Sequence, residues 1–207
     1  MQTNPILDII INILENTKYY SYNGKTSAKV ECETDEETYT LWNADYLLGQ
    51  IIRQYKISRD NFYISKGALD IWSKISNDSI LKYSYRDTVK CSKGPLTVKV
   101  YKGASSKYEE ALIDRDITFV FNDVFHDEHI IPINIVIKEL RKLTNCNYEN
   151  VSGILNKICI CRMLKEEDRR IIEKNKRPFC VEAVINSIYS KYDIEAIKAE
   201  MENTRYE

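Results

Sequence analysis

Hydrophobic residues in this chain recur with two different periods, and the change from one to the other limits what it can fold into. Ahead of Ser84 they fall mainly at helical spacing. Ile6, Ile9, Ile10, Ile13 and Leu14 form a stripe behind Asn4 as a cap and Pro5 at a tolerated first-turn position. Leu47, Leu48, Ile51 and Ile52 form a second between Asn43 and Gln54, and Leu69, Trp72 and Ile75 a third between Lys66 and Ile75, stopped by Ser76-Asn77-Asp78. Between the first two, Ser27 to Glu37 is polar and acidic around Val30 and reads as weak strand or loop.

Past Ser84 the texture changes. Thr88 to Cys91 and Leu96 to Tyr101 carry β-branched residues on either side of Ser92-Lys93-Gly94-Pro95, which predicts a hairpin. The small, polar stretch Lys102-Gly103-Ala104-Ser105-Ser106-Lys107 is the expected lobe boundary. Ile117 to Phe121 alternates as a strand. Helices are expected from Ile133 to Leu143 after Pro132 and from Tyr148 to Lys157, a short strand over Ile158 to Cys161, a charged helix over Lys165 to Lys174 and a last amphipathic helix over Val184 to Met201. The class is therefore α+β, with a helical lobe over residues 1–103 for recognition or dimerisation and a second lobe over residues 104–207.

Thirty basic and 31 acidic residues give a formal net charge of −1, so no whole-molecule field draws a polyanion and any such site must be a local patch. No apolar run is long enough to span a bilayer, which excludes a helical membrane protein. The N-terminus lacks the basic start and cleavage site of a secretory signal, and a cytoplasmic location is expected. The six cysteines lack the paired spacing of a zinc knuckle and read as reduced, mostly buried thiols. Cys159 and Cys161 share one face of a strand, which suits core packing.

The two histidines of the chain, His126 and His129, stand three residues apart with Asp127 and Glu128 between them. Imidazole titrates near neutrality and can take a proton from water, while carboxylates hold a hard divalent cation. Together they provide what phosphodiester cleavage requires. In an extended chain His126 and Glu128 project to one side and Asp127 and His129 to the other, so a turn or bulge is needed to bring Glu128 and His129 to one point. The ordinary alternative is a solvated polar turn, against which the apolar flanks Phe119-Val120-Phe121 and Ile130-Ile131-Pro132 argue.

Glu128-His129-Ile130-Ile131-Pro132 resembles the signature that ends the first strand of the ββα-metal hairpin in HNH-type nucleases. Lys157-Ile158-Cys159-Ile160-Cys161 followed by Arg162 to Asp168 resembles the second strand and closing helix. The resemblance covers residues 117–170. It departs from the pattern in three ways: Glu128 stands where Asp is usual, a helix lies between the strands, and no His or Asn opens the closing helix.

What it implies is a metal-dependent endonuclease acting on DNA, with RNA as the open alternative, in a restriction, defence or mobile-element setting. His129 would be the general base and Glu128 the principal ligand of Mg2+ or Mn2+. His126, Asp127 or Glu167 would assist, and Asn150 or Asn156 would complete the catalytic shell. Arg162, Lys165, Arg169 and Arg170 form a basic run that would grip phosphates, although such a run is ordinarily a solvated helix face paired with Glu166, Glu167 and Asp168. A symmetric cutter of duplex DNA would be a homodimer. The rival expectation is a non-catalytic binding or regulatory protein with a degenerate HNH-like fold, favoured by the missing second ligand.

Overall fold

The computed structural model describes residues 4–16, 18–22, 25–29, 44–55, 57, 59–102 and 107–199. In chain order the helices are α1 (Pro5–Asn16), α2 (Ala44–Ile52), α3 (Lys66–Ile75), α4 (Phe121–Val124), α5 (Ile133–Leu140), α6 (Tyr148–Leu155), α7 (Lys165–Arg170) and α8 (Val181–Val184). The strands are β1 (Lys18–Tyr22), β2 (Lys25–Lys29), β3 (Phe62–Ser65), β4 (Thr88–Lys90), β5 (Leu96–Val100), β6 (Glu109–Ile113), β7 (Thr118–Val120), β8 (Phe125–His129), β9 (Ile160–Leu164) and β10 (Ala196–Lys198). The protein is α+β. Among the described residues no helix is long and apolar enough to cross a membrane.

The chain forms two compact units that interleave in sequence. One takes Met1–Ser58, Ile131–Ile158 and Arg177–Cys180, the other Arg59–Ile130, Cys159–Lys176 and Val181–Glu207, so neither coincides with the expected lobes 1–103 and 104–207. In the first unit α1 packs against α2 and α6, and α5 against α2 and α6. Asn4 Oδ1 accepts from Ile6 N at 3.1 Å, satisfying an end amide of α1 as its position before Pro5 predicts. Leu7, Ile10 and Leu14 on α1 meet a core that includes Leu48, Ile52, Leu140 and Val151, all buried. At about 1.5–3 kcal/mol for each fully buried aliphatic side chain, this face holds the helices together. The expected weak strand at Ser27 to Glu37 falls largely on residues outside the described set, as does most of the expected boundary loop at 102–107.

The second unit is built on a four-stranded sheet of order β10-β3-β9-β8. β3 and β9 run parallel, while β8 with β9 and β10 with β3 run antiparallel. Ser65 caps α3, its Oγ accepting from Ala68 N at 3.1 Å, and Ala68, Trp72 and Ile75 turn inward. Trp72 meets Tyr83, Phe121 and Phe125 edge-on at centroid distances of 5.0, 6.0 and 5.7 Å. Offset and edge contacts of this kind add about 0.5–1.5 kcal/mol per pair beyond area burial.

Three local expectations are corrected. The strands flanking Ser92-Lys93-Gly94-Pro95 do not pair with each other: β4 pairs with β7 and β5 with β6. The turn is real, with Gly94 at φ 117°, but it carries the chain between two small sheets. The stretch His126 to His129 is strand rather than polar turn. The expected helix Val184 to Met201 is instead α8, a π-helical turn over Ile185–Tyr189 and a 3-10 turn over Ser190–Tyr192. Asp193 then adopts the left-handed region at φ 55°, which ends the helix and releases β10 to the sheet edge.

Candidate metal centre

The geometry of the site follows from one ladder. β8 pairs with β9 so that His126 faces Met163, Asp127 faces Arg162, Glu128 faces Cys161 and His129 faces Ile160. Directly paired residues share a face of the sheet. Phe125, Asp127 and His129 therefore lie on the side of Arg162 and Leu164, and His126 and Glu128 on the side of Cys161 and Met163. No bulge interrupts β8, so Glu128 and His129 are not brought to one point.

His126 and Glu128 meet a third residue instead. α7 starts directly after β9, and its first turn is pinned: Glu167 Oε2 accepts from Leu164 N at 2.8 Å and from Ser65 Oγ at 2.5 Å. Gly67 makes room for this carboxylate, since a Cβ there would lie 2.5 Å from Glu167 Oε1. The next residue, Asp168, is thereby directed at β8. His126 Nε2 stands 3.7 Å from Glu128 Oε2 and 3.9 Å from Asp168 Oδ2, and the three donor atoms lie within 4.8 Å of one another. Glu128 and Asp168 are buried, while the His126 side chain keeps 32% of its surface open.

This group can hold a metal ion. Around one ion at about 2.1 Å, neighbouring N and O donors lie roughly 3 Å apart and opposite ones roughly 4 Å apart, so the present spacing needs only a small contraction. One imidazole and two carboxylates suit a hard or borderline divalent cation. The partial exposure of His126 leaves a side of the group open to a further ligand.

Most of the other predicted residues are committed elsewhere. Asp127 takes Arg162 in a two-pronged ion pair, Nε to Oδ1 at 2.7 Å and Nη2 to Oδ2 at 2.8 Å. Arg162 Nη1 also donates to Ile80 O, and its guanidinium lies over the Phe121 ring at 4.8 Å. Lys165 is buried and donates to Tyr101 O at 3.0 Å and Asn122 O at 2.8 Å; burial pulls its pKa down. Arg169 lies over the Tyr101 ring at 4.5 Å, and Arg170 is exposed. Of the expected basic grip, Arg162 and Lys165 are thus internal braces. Glu167 is a structural acceptor.

Asn150 and Asn156 belong to the other unit. Asn150 Nδ2 donates to Asn145 O, and Asn156 Oδ1 accepts from the Tyr55 hydroxyl. Cys159 has its thiol pushed up to about 11 by burial first and Glu182 second, so it stays protonated and unreactive at neutral pH.

Asp168 is the residue that sequence reading missed as a ligand. The run Glu166-Glu167-Asp168 offers three acids on a short helix, and nothing in its periodicity tells which of them Ser65 and Leu164 will claim. Neither a scan against protein-family models nor searches of curated proteins and of solved structures find a match to the chain.

Proposed function

We propose that this protein is a divalent-metal-dependent phosphodiesterase that cuts DNA, with His126, Glu128 and Asp168 holding Mg2+ or Mn2+. The observation that carries the reading is the convergence of those three donors, two from β8 and one from α7, with β9 as the strand that joins them in space. The order β8, β9, α7 matches what the resemblance to HNH-type nucleases implies, with 131–158 as the insertion between the strands. The ion would supply Lewis acidity to a phosphate oxygen and to the leaving oxygen. Glu128 and Asp168, nearly enclosed, orient the donor set, and the exposed edge of His126 leaves room for substrate. His129, on the opposite side of β8, takes no part in binding the ion.

Purified full-length protein should nick plasmid DNA with Mg2+ or Mn2+ and stop on addition of EDTA. His126→Ala should lower the rate by about 10²-fold or more, the scale on which a lost catalytic group is felt, while His129→Ala should leave it within about tenfold of wild type. The reverse ranking would move the chemistry to the other side of the strand and restore His129 as general base.

A second reading is favoured by the internal use of Arg162 and Lys165, which removes two expected phosphate contacts. In that reading the protein is a metal-stabilised binding module without turnover. Mn2+ binding that depends on His126, together with no cleavage of DNA or RNA, would select it.

A further inference from the structure

Among the described residues, Lys174 touches the donor group directly. Lys174 Nζ pairs with Asp168 Oδ1 at 2.5 Å, the same carboxylate whose Oδ2 faces His126 at 3.9 Å. The Lys174 side chain is 38% exposed and Asp168 12%, so the ammonium stands at the solvent edge of the centre, above a carboxylate that is mostly enclosed. The segment that carries it is anchored. Glu173 pairs with Lys191 and accepts from the Tyr192 hydroxyl, and Ile172 N donates to the same hydroxyl at 3.3 Å. Ile171 is buried, and Lys176 N closes a 3-10 turn onto Glu173 O. Lys174 is therefore delivered to Asp168 by a braced turn.

An ammonium and a divalent ion cannot share one carboxylate without mutual repulsion. Like charges a few ångströms apart at a partly enclosed site are screened far less than in bulk water. An ion that takes Asp168 displaces the ammonium, and lysine's flexible stem lets it swing aside. It then sits beside the ion with no carboxylate of its own, a position that an anion would stabilise.

We propose that Lys174 is the anion-contacting residue of this centre: it neutralises Asp168 in the ion-free protein and, once a divalent ion binds, contacts an oxygen of a phosphate-type substrate next to that ion. The proposal rests on the reading of His126, Glu128 and Asp168 as a metal site. It requires that metal and anion bind cooperatively, because each relieves a charge that the other leaves uncompensated, and such cooperativity is reciprocal.

The test is calorimetric titration of the full chain with Mn2+, with and without inorganic phosphate, for wild type, Lys174→Met and Lys174→Arg. In wild type, phosphate should tighten Mn2+ binding by about tenfold, within the range usual for linked sites. Lys174→Met should bind Mn2+ alone more tightly than wild type and lose the phosphate effect to within about twofold. Lys174→Arg should keep the effect. A Lys174→Met protein that retains the full phosphate effect, or that binds Mn2+ alone more weakly, overturns the role of Lys174 while leaving the metal site standing. A wild-type chain that binds no Mn2+, or binds it equally well after His126→Ala, removes the metal site and this proposal with it. Because Lys174 is partly exposed, its removal leaves the core intact, and an unchanged circular dichroism melt checks that the variants fold.

Discussion

Asp127 and Arg162 form the ion pair whose loss should be felt most in the sheet. The Arg162 side chain is 5% exposed and held by Ile80 O and the Phe121 ring as well as by Asp127. Asp127→Ala would leave a buried guanidinium without its counter-charge. Breaking buried pairs costs about 3–5 kcal/mol; with Asp127 itself 34% exposed, solvent screening reduces the expected loss to about 2–3 kcal/mol. A urea midpoint unchanged by Asp127→Ala would show that the pair adds nothing.

A different pair sets a pH dependence. Lys191 and the Tyr192 hydroxyl hydrogen-bond Glu173 and hold its carboxyl at about 2, below its ordinary 4.5. A depressed carboxyl stabilises the fold above the ordinary value and loses that contribution as pH falls towards the folded one. Lys191→Met should therefore lower the urea midpoint by a constant amount above pH 5, and the gap from wild type should close between pH 4.5 and pH 2. A gap that stays constant down to pH 2 would disprove the assignment.

At the level of elements, the start of α7 decides where Asp168 points. Ser65 serves twice, as the cap of α3 and as a donor to Glu167, so it joins two helix starts across β3 and β9. Ser65→Ala removes both contacts and leaves the Glu167 carboxylate, in a residue 5% exposed, short of a partner. The expected loss is about 2–4 kcal/mol from a cap worth about 1 and an unsatisfied buried acceptor worth about 1–3. Mn2+ affinity should fall with it, because Asp168 is the next residue along; equal affinity in a folded Ser65→Ala protein would show that Asp168 is positioned by other contacts.

This arrangement also marks where sequence reading succeeds and where it stops. α3 falls on the expected Lys66 to Ile75, because a strong amphipathic stripe with a local cap is a short-range signal. α1, α2, α5 and α6 were each legible for the same reason. Strand pairing was not, since β4 chooses a partner some thirty residues away and leaves β5 to pair with β6, and no local pattern encodes that choice. The site was half legible: the face shared by His126 and Glu128 follows from alternation alone, whereas Asp168 needs the β8–β9 register and the capture of Glu167 by Ser65.

On the scale of the whole molecule, the paired ends of β8 and β9 explain the division of the chain. His129 and Ile160 are register partners, and Ile130 N donates to Cys159 O at 3.0 Å, so the two strands meet as the arms of a hairpin do. Residues 131–158, with α5 and α6, occupy the place of its turn and pack with α1 and α2 in the other unit. A cut at 103/104 should therefore fail. The piece 104–207 lacks β3, so β9 loses its parallel neighbour and β10 its only partner in the four-stranded sheet, and exposed strand edges of that kind favour aggregation. Residues 59–207 with 131–158 replaced by Asn-Gly should behave differently. They keep all four strands, α3 and α7, and a two-residue turn of that type suits an antiparallel pair. This shortened chain is expected to unfold in one cooperative urea transition and to bind Mn2+ within about tenfold of the full chain, because every candidate ligand lies in the retained unit. A non-cooperative transition from it would mean that the second unit depends on the first for its fold, and that the interleaving reflects one core divided by topology rather than a hairpin carrying an insertion.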